Sequence, residues 1–187
     1  MPQPKQTAPS VIYQIKITLK DTKPPVWRRV QLSGGTTLGK LHEVIQTVMG
    51  WQDYHLHSFT VGAVEYGIFE PELRLRSEVG VKLSQIIPDE KFKFHYEYDF
   101  GDSWDHVLVV EKVLAPEPGV SYPRILTGRR ACPPEDVGGV WGYEGFLEAI
   151  NDPDHPEHDE YLEWVGGDFD PEEFDLADAV QALARIK

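Results

Sequence analysis

From Phe92 to Phe100 every second residue is aromatic: Phe92, Phe94, Tyr96, Tyr98 and Phe100 alternate with Lys93, His95, Glu97 and Asp99. A period of two sets five rings on one face of an extended strand and the polar residues on the other, a separation no helix offers. Such a strand needs a covered sheet face, and it is followed by Gly101, a polar turn and the apolar run "WDHVLVVEKV". A hairpin is therefore predicted. A three-residue loop of Gly101, Asp102 and Ser103 would set Phe100 opposite Trp104, Tyr98 opposite His106, Tyr96 opposite Leu108 and Phe94 opposite Val110. On the other face that register sets Asp99 opposite Asp105, where like charges repel unless a cation, an arginine or a shared proton intervenes. His106 then falls on the aromatic face, as a hydrogen-bonded core histidine.

The flanking segments extend the sheet. Val11–Leu19 and Val26–Leu32 read as two strands of a hairpin around "DTKPP". Leu38, Leu41, Ile45, Val48 and Met49 recur at helical spacing, with Thr36 or Thr37 as N-cap and Gly50 as terminator. "HLHSFTVGAVEYG" reads as a strand or bent hairpin and "VKLSQIIP" as a short helical turn. The order strand, strand, helix, strand, turn, strand is that of a β-grasp, ubiquitin-like mixed sheet crossed by one helix, with "WDHVLVVEKV" as an added hairpin strand. After Leu114, "APEPGVSYP" reads as a loop, Pro134 as a helix start, and "YEGFLEAI", "HPEHDEYLEWV" and "FDPEEFDLADAVQALARI" as helices, the last opened by Asp170, Pro171 and Glu173. The fold class predicted is α+β. Residues 1–10 read as a disordered tail and 11–187 as one domain, a β-grasp-like core (11–114) carrying an acidic helical extension (115–187).

Charge narrows the function. The net charge is −13, and residues 131–184 hold 16 Asp and Glu with no Lys or Arg. Such a surface repels phosphate, which argues against duplex nucleic acid there and for a basic protein partner or a cation. No run reaches the length of a membrane span, the first ten residues lack a signal-peptide core, and Cys132 is the sole cysteine. A cytoplasmic setting without disulfides is expected.

The chemistry-bearing residues fall in three non-periodic stretches. "HLH" sets His55 and His57 two apart, able to chelate if extended. "DFGDSWDH" supplies Asp99, Asp102, Trp104 and Asp105, and "GRRACPPEDVGG" supplies Arg129, Arg130, Glu135 and Asp136. His155, His158 and Asp159 offer a weaker metal spacing. "DFG" without a glycine-rich loop or a His-Arg-Asp catalytic loop is no kinase, and "GGVWG" follows no strand and is no dinucleotide fingerprint. If a sheet edge gathers the three stretches, they line one cleft, in which Arg129 or Arg130 neutralises the carboxylates without any metal, or a divalent metal does.

"YQIKITLKDTKPPVWRRV", "LHEVIQTVMGW", "HLHSF", "YDFGDSWDH" and "ACPPEDVGG", in that order, resemble the plasmid open-reading-frame-three-like family first described on a root-inducing plasmid, over about residues 11–180. The resemblance implies an association with mobile elements, members often being labelled TnpR passenger proteins, and it carries no agreed catalytic residues or cofactor. The resolvase activity implied by that label conflicts with the residues: no histidine is followed by arginine three places on, and the C-terminal part is acidic where a serine recombinase needs a basic region. The expected function is a non-enzymatic binding or adaptor module with an acidic surface. The alternative is a divalent-metal-dependent hydrolase built on the Asp and His residues.

Overall fold

The computed structural model describes residues 11–68 and 75–186. The tail expected at residues 1–10 lies outside the described residues. The protein is α+β, with an eight-stranded, mostly antiparallel sheet and five helices. Strands β1 (Ile12–Leu19), β2 (Trp27–Ser33), β3 (His57–Val61), β4 (Val64–Gly67), β5 (Arg76–Ser77), β6 (Lys93–Tyr98), β7 (Trp104–Leu114) and β8 (Arg124–Arg129) run in the order β5-β4-β3-β6-β7-β1-β2-β8. The helices are α1 (Leu38–Met49), α2 (Leu83–Ile86), α3 (Gly139–Asn151), α4 (His158–Trp164) and α5 (Leu176–Arg185). Among the described residues only β4 and β5 pair in parallel.

One sheet face is apolar and lies under α1. It carries Ile15, Ile17 and Leu19 of β1, Val30 and Leu32 of β2, Phe59 of β3, Phe94, Tyr96 and Tyr98 of β6, and Trp104, Leu108 and Val110 of β7, all buried. Helix α1 presents Leu38, Leu41, Ile45, Val48 and Met49 to it. Thr37 caps this helix by accepting from Lys40 N (3.2 Å), and Gly50 ends it at φ 95°, a left-handed conformation that costs glycine no Cβ clash. The opposite face alternates polar residues, among them the Arg29–Glu111 ion pair (2.6 Å) and Lys20 on Asp105 (2.9 Å).

The structure departs from expectation in three places. The β6–β7 register pairs Tyr98 with Trp104, Tyr96 with His106 and Phe94 with Leu108, a slip of two from the expected pairing. The turn runs from Asp99 to Ser103, both left-handed (φ 57° and 53°), so it is wider than three residues. A slip of two keeps every side chain on its face, so burial patterning alone cannot distinguish the registers. Glu97, not Asp99, then faces Asp105, and Lys20 supplies the cation. Second, β7 lies between β6 and β1 rather than at an edge of the sheet, and the segment after Leu114 contributes β8 beside β2, so residues 115–187 are not purely helical. Third, α3 starts at Gly139, not Pro134, and α5 starts from Asp175, whose carboxylate accepts from Ala177 N and Asp178 N.

Candidate functional site

Three segments converge beside the turn that follows β6. The chain between α1 and β3 passes through Trp51, Gln52, Asp53, Tyr54 and His55, the β6–β7 turn presents Asp99 and Asp102, and the loop before α3 presents Glu135 and Asp136. Backbone conformation marks the place. Asp53, Asp99, Ser103 and Asp136 all hold positive φ, a region that short polar side chains tolerate and that concentrates at functional sites. Glycine explains how the loop docks: a Cβ at Gly139, itself at φ 68°, would sit 2.5 Å from the Asp102 carbonyl oxygen. One residue earlier, Gly138 N donates to Asp102 Oδ2 at 3.0 Å. The "DVGG" sequence is thus what lets the loop meet the hairpin tip.

Glu135 fastens the other side. Its Oε1 accepts from the Tyr98 hydroxyl at 2.5 Å and its Oε2 from Gln52 N at 2.9 Å. The Tyr98 hydroxyl also accepts from Tyr54 N at 3.0 Å. Burial, then the Glu135 hydrogen bond, raises the Tyr98 phenol well above its ordinary range, so it stays a donor. Trp51 lies over Tyr98 with centroids 5.1 Å apart and donates through Nε1 to Pro133 O at 3.0 Å.

Asp136 continues past this anchor to His55. The His55 Nε2 lies 3.1 Å from Asp136 Oδ1 and 3.7 Å from Asp99 Oδ2. Asp99 Oδ1 is engaged by Gly101 N at 2.9 Å, which turns Oδ2 towards the histidine. Beyond Asp136 opens a groove of about 420 Å³, walled by Trp51, Gln52, Tyr54, Glu135, Asp136 and Trp164. A second hollow of about 270 Å³ shares Asp136 and Trp164 and adds Glu157, Glu160 and Tyr161. Tyr54 is 70% exposed and Trp164 46% exposed, so two aromatic faces stand open among carboxylates.

Of the residues expected to share one cleft, His55, Asp99, Asp102, Glu135 and Asp136 do come together. The others do not. His57 is buried and points into the core, bonded to Glu78 at 3.0 Å, because β3 starts at His57 whereas His55 still lies in the preceding bend. Trp104 is fully buried under α1's end of the sheet, 5.9 Å from the Trp51 ring. Asp105 lies on the far sheet face with Lys20. Arg130 donates to Pro24 O (2.6 Å) and Pro171 O (3.2 Å) and pairs with Glu172 (2.9 Å), and Arg129 gives only its carbonyl, to Arg28. Among the described residues no ion pair joins either arginine to the site's carboxylates. His158 is bonded to Ala149 O and His155 accepts from Glu157 N, both local structural roles. Burial pushes the Cys132 thiol up to about 12, which leaves it inert at neutral pH.

Sequence reasoning missed His42. It sits on the apolar stripe of α1, stacked on His57 with centroids 3.5 Å apart and planes 6° from parallel. Gln46 Nε2 donates to the Tyr96 hydroxyl (2.9 Å), which donates to His42 Nδ1 (2.8 Å), leaving Nε2–H for Asp53 Oδ1 (2.7 Å). Burial, then the neighbouring His57, lowers the His42 pKa and keeps it neutral. The available signal was a histidine and a glutamine on an otherwise apolar helix stripe, which demands buried partners such as the tyrosine hydroxyls of β6.

The chain matches the family model described as "Plasmid pRiA4b ORF-3-like protein" over residues 11–178. It is 40% identical over 166 residues to "Uncharacterized protein y4hQ" of Sinorhizobium fredii, covering 85% of this chain and 84% of that protein. It is likewise similar to the crystal structure of "Protein of Unknown Function MM3350" from Methanosarcina mazei Go1. The TM-score is 0.84 at 40% identity, with 91% of this chain and 98% of that one covered. By sequence and by fold together, the chain belongs to the plasmid pRiA4b ORF-3-like family.

Proposed function

We propose that this protein is a non-enzymatic binding module that takes cationic side chains of a basic protein partner into the groove between Tyr54 and Trp164. The observation that carries this is the composition of the groove: two open aromatic faces ringed by Glu135, Asp136, Glu157 and Glu160, in a stretch of chain with no Lys or Arg to compete for them. A Lys ammonium or Arg guanidinium over an indole gains about 0.5–2 kcal/mol, and the surrounding carboxylates add attraction and faster encounter. The groups a covalent mechanism would need are occupied otherwise, Cys132 being held as a thiol and His57 bonded to Glu78. Among the described residues no helix is long and apolar enough to cross a membrane. A cytoplasmic partner belongs to this reading.

The scaffold fits the same reading as a β-grasp core opened by an insertion: β1 and β6 each run antiparallel to β7 and so parallel to one another, with α1 across them. The test is fluorescence anisotropy with a labelled Lys/Arg-rich decapeptide and a Glu-rich control. Trp164→Ala should weaken the basic peptide roughly five- to tenfold, about 1 kcal/mol of cation–π contact, and raising salt to 0.5 M should weaken it further. Equal binding by the variant, or affinity unchanged by salt, would sink the proposal.

A further inference from the structure

His55, Asp99 and Asp136 belong to three separate segments, yet their ligand atoms all lie within 4.8 Å of one another. The His55 Nε2 is the informative atom. It is closed off from solvent and has no hydrogen-bond partner. At 3.1 Å the Asp136 carboxylate is near enough for an ion pair but is not aligned for a hydrogen bond, so the nitrogen faces the gap between two carboxylates rather than either oxygen. A buried imidazole nitrogen without a partner is an arrangement proteins avoid unless something else fills the gap.

A metal ion bound at about 2.0–2.2 Å by imidazole nitrogen and carboxylate oxygen separates its ligand atoms by roughly 3.0–3.5 Å at tetrahedral or octahedral angles. The observed 3.1 Å falls within that span and the 3.7 Å lies just beyond it. Asp136 is two-thirds exposed and can swing to close the remainder, whereas Asp99 is nearly buried and fixed by Gly101 N. The loop that carries Asp136 is fastened on both sides: Gly138 N, two residues beyond it, donates to Asp102, and Glu135, the residue before it, accepts from the Tyr98 hydroxyl and Gln52 N.

We infer that His55 Nε2, Asp99 Oδ2 and Asp136 Oδ1 form a binding site for one divalent first-row transition ion, of the Zn²⁺ or Mn²⁺ type, with its remaining coordination positions open towards the groove. One nitrogen and two carboxylate oxygens suit such ions, while an all-oxygen shell would be needed for Ca²⁺ and thiolates for a soft ion. The ion would neutralise the carboxylates in the role that sequence reasoning gave to an arginine.

The experiment is titration of the metal-free full chain with Co²⁺, Zn²⁺, Mn²⁺, Ca²⁺ and Mg²⁺ by calorimetry, with the Co²⁺ visible spectrum and His55 imidazole NMR signals as ligation readouts. Expected are one equivalent of Co²⁺ or Zn²⁺, a histidine-ligated spectrum, and at least tenfold weaker binding in Asp99→Asn and in Asp136→Asn, whose exposed side chain is not needed for folding. Glu148→Gln, on the exposed face of α3, should bind as wild type. Multi-equivalent uptake indifferent to Asp99→Asn, no uptake, or preference for Ca²⁺ or Mg²⁺ would overturn the assignment. Peptide affinity of the metal-free chain is a separate readout, so this site and the groove stand or fall independently.

Discussion

Acid should destabilise this protein through His106 before most of its carboxylates protonate. The ring is fully buried between β6 and Trp51, donates Nδ1–H to Trp104 O at 2.8 Å, and leaves Nε2 without a partner. A second proton would put a full charge in the core, at a cost that the nearby backbone carbonyls of Trp104 and Tyr96 offset only in part. Burial accordingly lowers its pKa from 6.5 to about 4. The unfolded chain thus binds the proton at a higher pH than the folded one. The stability this histidine contributes is complete above about pH 6.5 and is lost as pH falls towards 4. At 1.36 kcal/mol per unit, the 6.5-to-4 gap integrates to about 3 kcal/mol by pH 4. That is a large part of the 5–15 kcal/mol typical of a domain. The assay is urea unfolding, followed by tryptophan fluorescence, at steps from pH 7.5 to 4 for wild type and His106→Leu. The leucine variant should lose about 1 kcal/mol at pH 7.5 by orphaning the Trp104 carbonyl, then regain about 3 kcal/mol relative to wild type by pH 4. Parallel stability curves would refute the reasoning.

Arg28 is buried and donates to Val48 O, Trp27 O and Arg129 O, so Arg28→Met should cost about 3 kcal/mol in chemical denaturation by stranding carbonyls at the end of α1 and in β2 and β8. Gly139→Ala should cost about 2 kcal/mol and weaken peptide binding, because the methyl meets Asp102 O in a left-handed residue. Gly145→Ala, in open space on α3, should stabilise by about 0.5–1 kcal/mol, and thermal melts of the two variants make the contrast. With its thiol near 12, Cys132 carries about one thiolate in ten thousand at pH 8, so a chromogenic thiol reagent should label it only on unfolding. Labelling of the native protein at the rate of free cysteine would contradict that.

Period-two and helical patterning located β1, β2, α1, β3, β6 and β7, because each sends one face into a single apolar core. Pairing was less legible. The aromatic strand tolerates a two-residue slip without moving a side chain off its face, and only the left-handed Asp99 and Ser103 fix the turn. Strand β8 escaped notice because Ile125 is its one buried residue. The site was half legible: Asp99, Asp102, Glu135 and Asp136 stand out as acids in glycine-rich turns, and His55 as one of a pair. Which of two alternating histidines turns inward depends on where β3 begins, and Arg130 is taken up by the carbonyls of Pro24 and Pro171. Tyr54 and Trp164, separated by over a hundred residues, acquire meaning only when α4 folds back beside the loop at Glu135.

The groove between Tyr54 and Trp164 is tested most directly by the indole N–H signals of the five tryptophans during titration with the Lys/Arg-rich peptide. Trp104 is buried and Trp141, 84% exposed, stands at a separate concavity with Asp102 and Asp105. Trp104 and Trp141 therefore report on places outside the groove. The account predicts saturable shifts of Trp164 and of Trp51, which lines the same groove, with Trp104 and Trp141 unmoved and the response abolished by Glu135→Gln combined with Glu160→Gln. Shifts confined to Trp141, or none at peptide concentrations that bind by anisotropy, would contradict it.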